Sequence, residues 1–225
     1  MKNLSLAFAL TVAMALSGCG KDILTPFGAL TDEPIIDIGK ETRGPTGTDV
    51  CQPDANGAYI EGVNLTSREE ENFIRADGGG CINRNIKDVW AAALNQNLMV
   101  WNTVDESRLE QRTPPSVNTH YFHNYYQVNE FIKVKWFMDW YHSVKRGTPQ
   151  APETVVINYK KTEGTSYIPY WEGAIRLEKV NEQVTSFRMG NQIKASRQNE
   201  DDVKGAVSDV YVKLQTGEPD RSKLP

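Results

Sequence analysis

Apolar and polar residues alternate through the second half of the chain in a pattern that predicts β-strands. From Ile132 to Trp140 every second residue is apolar, with Lys133, Lys135 and Asp139 between them. This period of two is that of a strand with one buried face. Segments 120–128, 154–161, 166–180 and 183–196 are predicted as further strands, the last two as an antiparallel hairpin.

Two other segments repeat their apolar residues every three to four positions, which predicts helices. Asn85 to Leu94 is predicted as a short helix with one apolar side. Residues 200–214 are predicted as a long amphipathic helix, with Asn199 as its N-cap and Gly217 at its end. Its apolar stripe comprises Val203, Val207, Val210 and Leu214.

The first strand is predicted within residues 71–82, which include Gly78, Gly79 and Gly80. These glycines lack the spacing of phosphate-binding loops, so a bulge or a close approach of another backbone is the better interpretation. The predicted order is a strand, a short helix, a run of antiparallel strands and a long helix. This order indicates the α+β fold class.

The N-terminus has the features of an export signal. Lys2 precedes an uncharged run over residues 4–16, which is too short to span a membrane as a helix but suits a secretory signal. The next residues, Leu16-Ser17-Gly18-Cys19, resemble the lipobox of bacterial lipoproteins. That resemblance implies cleavage before Cys19 and attachment of palmitate-type acyl chains to this cysteine, which would anchor the protein to a membrane. An ordinary signal peptide with a chance cysteine is the alternative.

The composition predicts four regions along the chain. Residues 1–18 are the signal peptide, and 19–57 are the lipidated cysteine with a Pro- and Gly-rich tether. Residues 58–217 are the folded domain and 218–225 a tail. Segment 34–38 could dock on the domain instead of remaining loose. Gly20 follows Cys19 where many inner-membrane lipoproteins carry Asp, so the expected location is the outer membrane, facing the periplasm.

Cys51 and Cys81 form an even pair in a compartment where disulfides persist, which predicts a bridge between them. Closing a loop of about 30 residues would stabilise the fold by about 3 to 4 kcal/mol. Two buried thiols that never meet are the alternative. Neither cysteine belongs to a CxxC motif, so metal binding or redox catalysis has little support.

Charge and histidine spacing exclude other classes of function. The chain has 25 Lys and Arg against 29 Asp and Glu, a formal net charge of −4, and no basic block of the kind that binds nucleic acid. His120 and His123 lie three apart on a predicted strand, so their side chains point to opposite faces and cannot easily share a metal. We expect neither a metal nor a cofactor.

Four segments resemble the START-like superfamily, also called the polyketide cyclase or Bet v 1-like (SRPBCC, helix-grip) fold. They are Ile82 to Trp90, Asn102-Thr103-Val104 after Trp101, Gly173 to Leu177, and Asn199 to Leu214. The resemblance implies a curved antiparallel sheet of about seven strands around the long C-terminal helix, with the short helix after the first strand. It also implies an apolar cavity between sheet and helix.

The inward face of this fold supplies the candidate ligand-binding residues. They are Phe122, Tyr126, Val134, Trp136, Met138, Trp140, Val203, Val207 and Val210. The resemblance implies the cavity, whereas the alternating pattern itself shows only burial. These side chains could therefore simply fill a core.

Three functions follow from this interpretation. The leading hypothesis is a non-catalytic envelope lipoprotein that binds a lipid or another hydrophobic small molecule, with unknown protein partners. The second is an enzyme of the cyclase or aromatase type, which would require His142, Tyr126 or Asn124 to converge in the cavity. The third is a structural or protein-binding lipoprotein, which an exposed aromatic patch would support. That patch would contain Tyr121, Tyr125 or Tyr170.

Overall fold

The computed structural model describes residues 51–101, 104–110, 118–129, 132–196 and 198–218. The predicted signal peptide, the lipobox with Cys19, most of the tether and Asn102-Thr103 lie outside the described residues. Cys51, the first of them, is 3% exposed. All helices and strands given below belong to the described part of the chain.

Eight antiparallel strands form one sheet that packs against two helices. The strands are β1 (Gly62–Glu69), β2 (Ile74–Ile82), β3 (Glu106–Glu110), β4 (His120–Asn129), β5 (Lys133–Thr148), β6 (Ala151–Gly164), β7 (Tyr170–Lys179) and β8 (Thr185–Lys194). Helix α1 (Ile86–Leu94) follows β2, and α2 (Glu200–Thr216) follows β8. The strand order is β1-β2-β8-β7-β6-β5-β4-β3, so the N-terminal hairpin pairs with the last strand. This arrangement confirms the α+β class.

The residue pattern predicted six strands and the resemblance implied about seven, whereas the sheet has eight, because the pattern missed β1 and β3. The short helix consequently follows the second strand and not the first. Both missed strands are at the edges of the sheet, where one side of the strand has no neighbour. Their sequences are GVNLTSRE and ESRLE. Strand β3 is mostly exposed, whereas β1 alternates between exposed and half-buried residues, with Val63 and Leu65 packed against the core. Two apolar residues among eight, or one among five, are too few to show the alternation by which a buried strand is recognised.

Helix α2 has the capping and the apolar stripe that its sequence predicts. The Asn199 side chain accepts a hydrogen bond from the Asp202 backbone N–H and Asp202 bonds back to the Asn199 N–H, which forms a capping box. Gly217 ends the helix in the left-handed conformation at φ 69°. The stripe residues Val203, Val207, Val210 and Leu214 are at most 3% exposed.

The glycines of β2 let α2 lie directly on the sheet. A Cβ atom at Gly78 would come within 2.5 Å of Val207 Cγ1, and one at Gly80 within 1.8 Å of the Gly62 carbonyl oxygen. A side chain at either position would push apart elements that are in contact. The interpretation of this run as a close backbone approach is confirmed.

The predicted disulfide is present. Cys51 and Cys81 are bonded with an S–S distance of 2.03 Å and a sequence separation of 30. Both cysteines pack in a small cluster with Val184, beside the end of β2. The bridge fastens the start of the described chain to the end of β2, the strand next to the edge of the sheet.

Candidate functional site

A cleft of about 590 Å³ opens between the first half of α2 and the inner face of the sheet. Its volume is within the range of small-molecule sites, about 300 to 1,000 Å³. Aromatic and aliphatic side chains dominate its wall, and acidic side chains stand at one side. The wall comprises Trp101, Val128, Ile132, Val134, Trp136, Tyr167, Ile168, Trp171, Asn191, Ile193, Ala195, Ser196, Gln198, Asp201, Asp202, Val203, Gly205, Ala206 and Asp209.

The depth of the cleft is set by Trp101, which enters the core from the segment after α1. Its ring lies 4.3 Å from that of Trp171, 5.5 Å from that of Tyr126 and 5.6 Å from that of Trp140, measured between centroids. Tryptophan is the largest side chain, and this one occupies the centre of the space between the sheet and α2. The cleft therefore ends at Trp101 and does not continue along the whole helix.

Two hydrogen bonds to neighbouring carbonyl groups hold this segment in place. The Tyr126 hydroxyl donates to the Met99 carbonyl at 2.9 Å. The Lys213 ammonium group donates to the Val100 carbonyl and also pairs with Asp209 at 2.8 Å. Strand β4 and helix α2 thus fix the backbone just before Trp101 from two sides.

The nine predicted cavity residues divide into two groups. Val134, Trp136 and Val203 line the cleft. The other six are buried in the core and do not line this cleft, and their role as ligand contacts stays a prediction. These six are Phe122, Tyr126, Met138, Trp140, Val207 and Val210. The ring of Trp101 packs against Tyr126 and Trp140, and Val207 packs directly on β2 at Gly78.

We call Trp101, Trp136, Trp171 and Asn191 the floor of the cleft, because all four are 7% exposed or less. Asn191 Oδ1 accepts hydrogen bonds from Trp171 Nε1 and from the Tyr159 hydroxyl, each at 2.8 Å. These two bonds fix the orientation of the Asn191 amide. Its Nδ2 and the indole nitrogens of Trp101 and Trp136 have no hydrogen-bond partner in the described part of the chain.

We call the exposed side of the cleft its mouth. Ile132 and Tyr167 remain 42% and 43% exposed there. Asp201 and Asp202 are exposed on the first turn of α2. Hydrogen bonding and charge attraction from Lys204 lower the pKa of the Asp201 carboxyl group. The mouth thus combines exposed apolar surface with ionised carboxylates.

The predicted catalytic candidates do not converge on the cleft. His142 is fully buried, and its Nδ1 accepts a hydrogen bond from Trp90 Nε1 at 3.3 Å. Burial, aided by the charge of His120, lowers its pKa to about 3, so the ring is neutral. The Tyr126 hydroxyl bonds to Asn124, Trp140 and Met99 within the core. None of His142, Tyr126 and Asn124 lines the cleft.

The opposite face of the sheet contains a buried polar cluster around Asp139. The carboxylate bonds to His123 Nδ1 at 2.5 Å, to the Tyr141 hydroxyl at 2.7 Å and to the Tyr121 hydroxyl at 2.9 Å. Burial alone would raise the pKa of Asp139, but these three partners together lower it. Because His123 and Asp139 are almost completely buried, a substrate has no access to them.

His120 and His123 point to opposite faces, as their spacing predicts. His120 packs against His142 on the inner face, whereas His123 bonds to Asp139 on the outer face. Within the described ranges, no group of three or more His, Cys, Asp or Glu side chains could hold a metal ion. Neither described helix is long and apolar enough to cross a membrane.

The three tyrosines of the protein-binding hypothesis do not form an exposed patch. Tyr125 is buried under the Arg108 guanidinium, which lies 3.8 Å from the ring centroid. Tyr121 and Tyr170 are partly buried, and their hydroxyls bond to Asp139 and Glu172 respectively. Their polar groups are used within the sheet.

Several residues of the cleft were absent from the candidates drawn from the sequence. Trp171 and Ile193 alternate with polar residues in predicted strands, so the period-two pattern could have identified them as inward-facing. Trp101 gave no such signal, because it lies in an irregular segment between α1 and β3. Its position depends on contacts with β4 and α2, which are distant in sequence.

Comparisons with known proteins identify the fold through structure and not through sequence. No protein-family model matches the chain, and no curated protein matches it. The lipid transfer and protein localization domain of human StarD13 (DLC2) is similar, with a TM-score of 0.52 and 6% identity, covering 69% of this chain and 83% of that one. The fold is therefore START-like.

Two further solved structures are similar at lower TM-scores. Human STARD10 gives 0.49 at 10% identity, covering 70% of this chain and 69% of that one. The STAR-related lipid transfer protein from Xanthomonas axonopodis gives 0.48 at 14% identity, covering 69% of this chain and 95% of that one. Because both TM-scores are below 0.5, these two similarities add nothing to the fold assignment, and identities this low show nothing about activity.

Proposed function

We propose that this protein is a lipid-anchored envelope protein that binds a lipid or another hydrophobic small molecule in the cleft beside α2. The observation that carries the proposal is the cleft itself, about 590 Å³ in volume and lined mainly by aromatic and aliphatic side chains. Transfer of apolar surface from water into such a site is favourable by about 25 cal/mol per Å². A ligand of matching size would gain most of its affinity in this way.

The shape of the site favours binding over a purely structural role. A START-like domain could close its interior completely, and here Trp101 does close the centre. The space next to it stays open between Val134 and Val203, although both neighbouring elements carry apolar side chains that could fill it. Exposed apolar residues at the mouth, Ile132 and Tyr167, would provide a path of entry.

Anchoring to the outer membrane is the second part of the proposal and rests on Leu16-Ser17-Gly18-Cys19 and on Gly20. Expression with a clickable palmitate analogue should label the full chain, and Cys19→Ala should abolish the label. Ser17→Thr is a matched control that keeps the cysteine. An unlabelled full chain that is still secreted would contradict the lipidation proposal and leave the ligand proposal standing.

A photo-crosslinking experiment tests the ligand proposal. The full chain in phosphatidylcholine vesicles would be irradiated with an alkyl diazirine probe, and mass spectrometry would map the modified peptides. Labelling is expected on peptides of the cleft wall that contain Val134, Trp136 or Val203. Modification confined to residues 1–50, the part expected at the membrane, would contradict the proposal.

A pair of variants on α2 separates the cleft from general surface labelling. Gly205→Trp should fill the cleft, since a Cβ atom at this position meets nothing within 4 Å. It should reduce labelling of the Val134–Trp136 peptide several-fold. Val212→Trp adds the same side chain at a position on α2 that is 46% exposed and outside the cleft, and should leave labelling unchanged. Equal labelling in both variants would contradict binding in the cleft.

A further inference from the structure

The floor of the cleft presents three N–H donors that have no acceptor. Trp101 Nε1, Trp136 Nε1 and Asn191 Nδ2 lack a hydrogen-bond partner in the described part of the chain, and all three residues line the cleft. The residues are 5%, 2% and 0% exposed respectively. Donors this deeply buried are nearly always paired in folded proteins.

The three donors surround a single side chain, that of Trp171. The ring of Trp171 lies 4.3 Å from that of Trp101 and 5.8 Å from that of Trp136, between centroids. Its own Nε1 donates to Asn191 Oδ1 at 2.8 Å. The unpaired N–H groups therefore belong to neighbouring side chains at one end of the cleft.

A hydrocarbon ligand in the cleft would leave these buried donors as unpaired as they are without a ligand. A buried donor left unsatisfied costs about 1 to 3 kcal/mol, whereas a hydrogen bond formed in its place is stabilising. A carbonyl or ether oxygen at the leading end of the ligand would avoid this cost. The wall also has one unpaired buried acceptor, Gln198 Oε1, so unpaired buried donors outnumber unpaired buried acceptors among the described lining residues.

Charge at the mouth restricts the ligand further. The lining residues that the structure describes include Asp201, Asp202 and Asp209 and no Lys or Arg. Asp201 pairs with Lys204 and Asp209 with Lys213, each at 2.8 Å, so these two cations are already engaged. An anionic group would therefore be repelled by carboxylates as it entered, and the N–H donors at the floor have no formal charge to neutralise it.

We propose that the cleft selects uncharged apolar molecules that carry a hydrogen-bond acceptor, and that the acceptor end enters first and reaches Trp101, Trp136 and Asn191. This inference deepens the proposed function and rests on it. It excludes plain hydrocarbons and free fatty acids as preferred ligands. It favours neutral lipids with a ketone, ester or ether oxygen.

Competition against the alkyl diazirine probe tests this selectivity. The full chain in phosphatidylcholine vesicles would be labelled in the presence of 2-heptadecanone, heptadecane or hexadecanoate, each at the same mole fraction in the bilayer. The ketone should reduce labelling of the cleft peptides at a concentration about fivefold lower than heptadecane for each hydrogen bond gained, since one bond contributes about 1 kcal/mol. Hexadecanoate should compete least well.

Two variants with the same chemical change connect the selectivity to the floor. Trp136→Phe removes an unpaired indole N–H and should reduce the preference for ketone over hydrocarbon about fivefold, with both competitors measured in the same variant. Trp90→Phe removes an indole N–H that already bonds to His142, outside the cleft, and should keep the full preference. Trp101→Phe provides an independent second test at the floor.

The outcomes distinguish the inference from the function on which it rests. Equal competition by ketone and heptadecane, or strongest competition by hexadecanoate, would overturn the selectivity and leave hydrophobic binding intact. A preference that survives both Trp136→Phe and Trp101→Phe would also overturn it. Absence of any probe labelling in the cleft would overturn the proposed function and the selectivity together.

Discussion

Single side chains determine how much of the space between sheet and helix remains open. The alternating pattern identified Phe122, Tyr126 and Trp140 as inward-facing, and they are. It could not reveal that Trp101, from an irregular segment, would cover them. Whether an inward-facing residue meets a ligand or another side chain depends on such long-range contacts, and a periodic pattern does not contain this information.

Gly78 is expected to be intolerant of any side chain. Gly78→Ala places a Cβ atom 2.5 Å from Val207 Cγ1, and the branched valine has little freedom to move. Overpacking of this kind costs about 1 to 3 kcal/mol of unfolding free energy. Chemical denaturation of the purified protein would measure the loss.

A double-mutant cycle attributes the loss to this contact. Val207→Ala removes the clashing methyl group, so Gly78→Ala should be less destabilising in the Val207→Ala background than in the native protein. Gly80→Ala clashes with the Gly62 backbone instead, and the same background should not relieve it. Strict additivity of Gly78→Ala and Val207→Ala would contradict the explanation.

His142 is expected to make the fold sensitive to mild acid. Its folded-state pKa of about 3 lies below the ordinary value of 6.5, because burial opposes the charged ring. Between these values the unfolded chain binds a proton that the folded protein does not, so stability falls as the pH falls. From pH 7 to pH 5 this group should lower the unfolding free energy by about 2 kcal/mol.

His142→Gln tests this origin, since glutamine can still accept a hydrogen bond from Trp90 but does not titrate. Denaturation curves at pH 7 and pH 5 should show a smaller loss of stability in the variant than in the native protein. His120→Gln is the comparison variant on the neighbouring strand. The His120 side chain is partly exposed, and its partial burial lowers the pKa of the imidazole. An unchanged pH dependence in His142→Gln would refute the assignment.

At the scale of elements, the sequence predicted best where an element buries one face. Helix α2 has its predicted stripe, N-cap and C-terminal glycine, and β5 follows the alternation at Val134, Trp136 and Met138. The edge strands β1 and β3 were missed because few of their residues are apolar: β3 is mostly exposed, and β1 packs only Val63 and Leu65 against the core. Hydrogen bonding along a polar edge leaves little trace in composition.

Gly205 lies within α2, where a glycine lowers the stability of the helix. No close contact requires a glycine at this position, in contrast to Gly78 in β2. Nothing lies within 4 Å of a Cβ atom at this position, which is in the cleft wall. Gly205→Ala should raise the unfolding free energy by about 1 kcal/mol through helix propensity. Gly57→Ala, also in open space but at φ +80°, should lower it by about 1 kcal/mol. Destabilisation by Gly205→Ala would contradict this account.

At the scale of the whole molecule, the fold class followed from the order of elements, whereas the pairing of the N-terminal hairpin with the last strand did not. Strand β2 pairs with β8 over nine residue pairs, Ile74↔Ile193 to Ile82↔Thr185, although α1 and strands β3 to β7 lie between them in sequence. No local pattern specifies such a pairing. The START-like resemblance predicted the overall architecture, but the open volume depends on how the complete set of side chains packs.

The Cys51–Cys81 bridge is expected to stabilise this long-range arrangement. It fastens the start of the described chain to the end of β2, and the loop that it closes has a sequence separation of 30. Replacing both cysteines by alanine should lower the unfolding free energy by about 3 to 4 kcal/mol, chiefly by releasing the unfolded chain. Reductant should destabilise the native protein by a similar amount and leave the double variant unaffected.

Val184→Ala, in the same apolar cluster, controls for lost packing and should retain sensitivity to reductant. If reductant freed both thiols of the native protein without changing its denaturation midpoint, the bridge would not contribute to stability and this role would be contradicted.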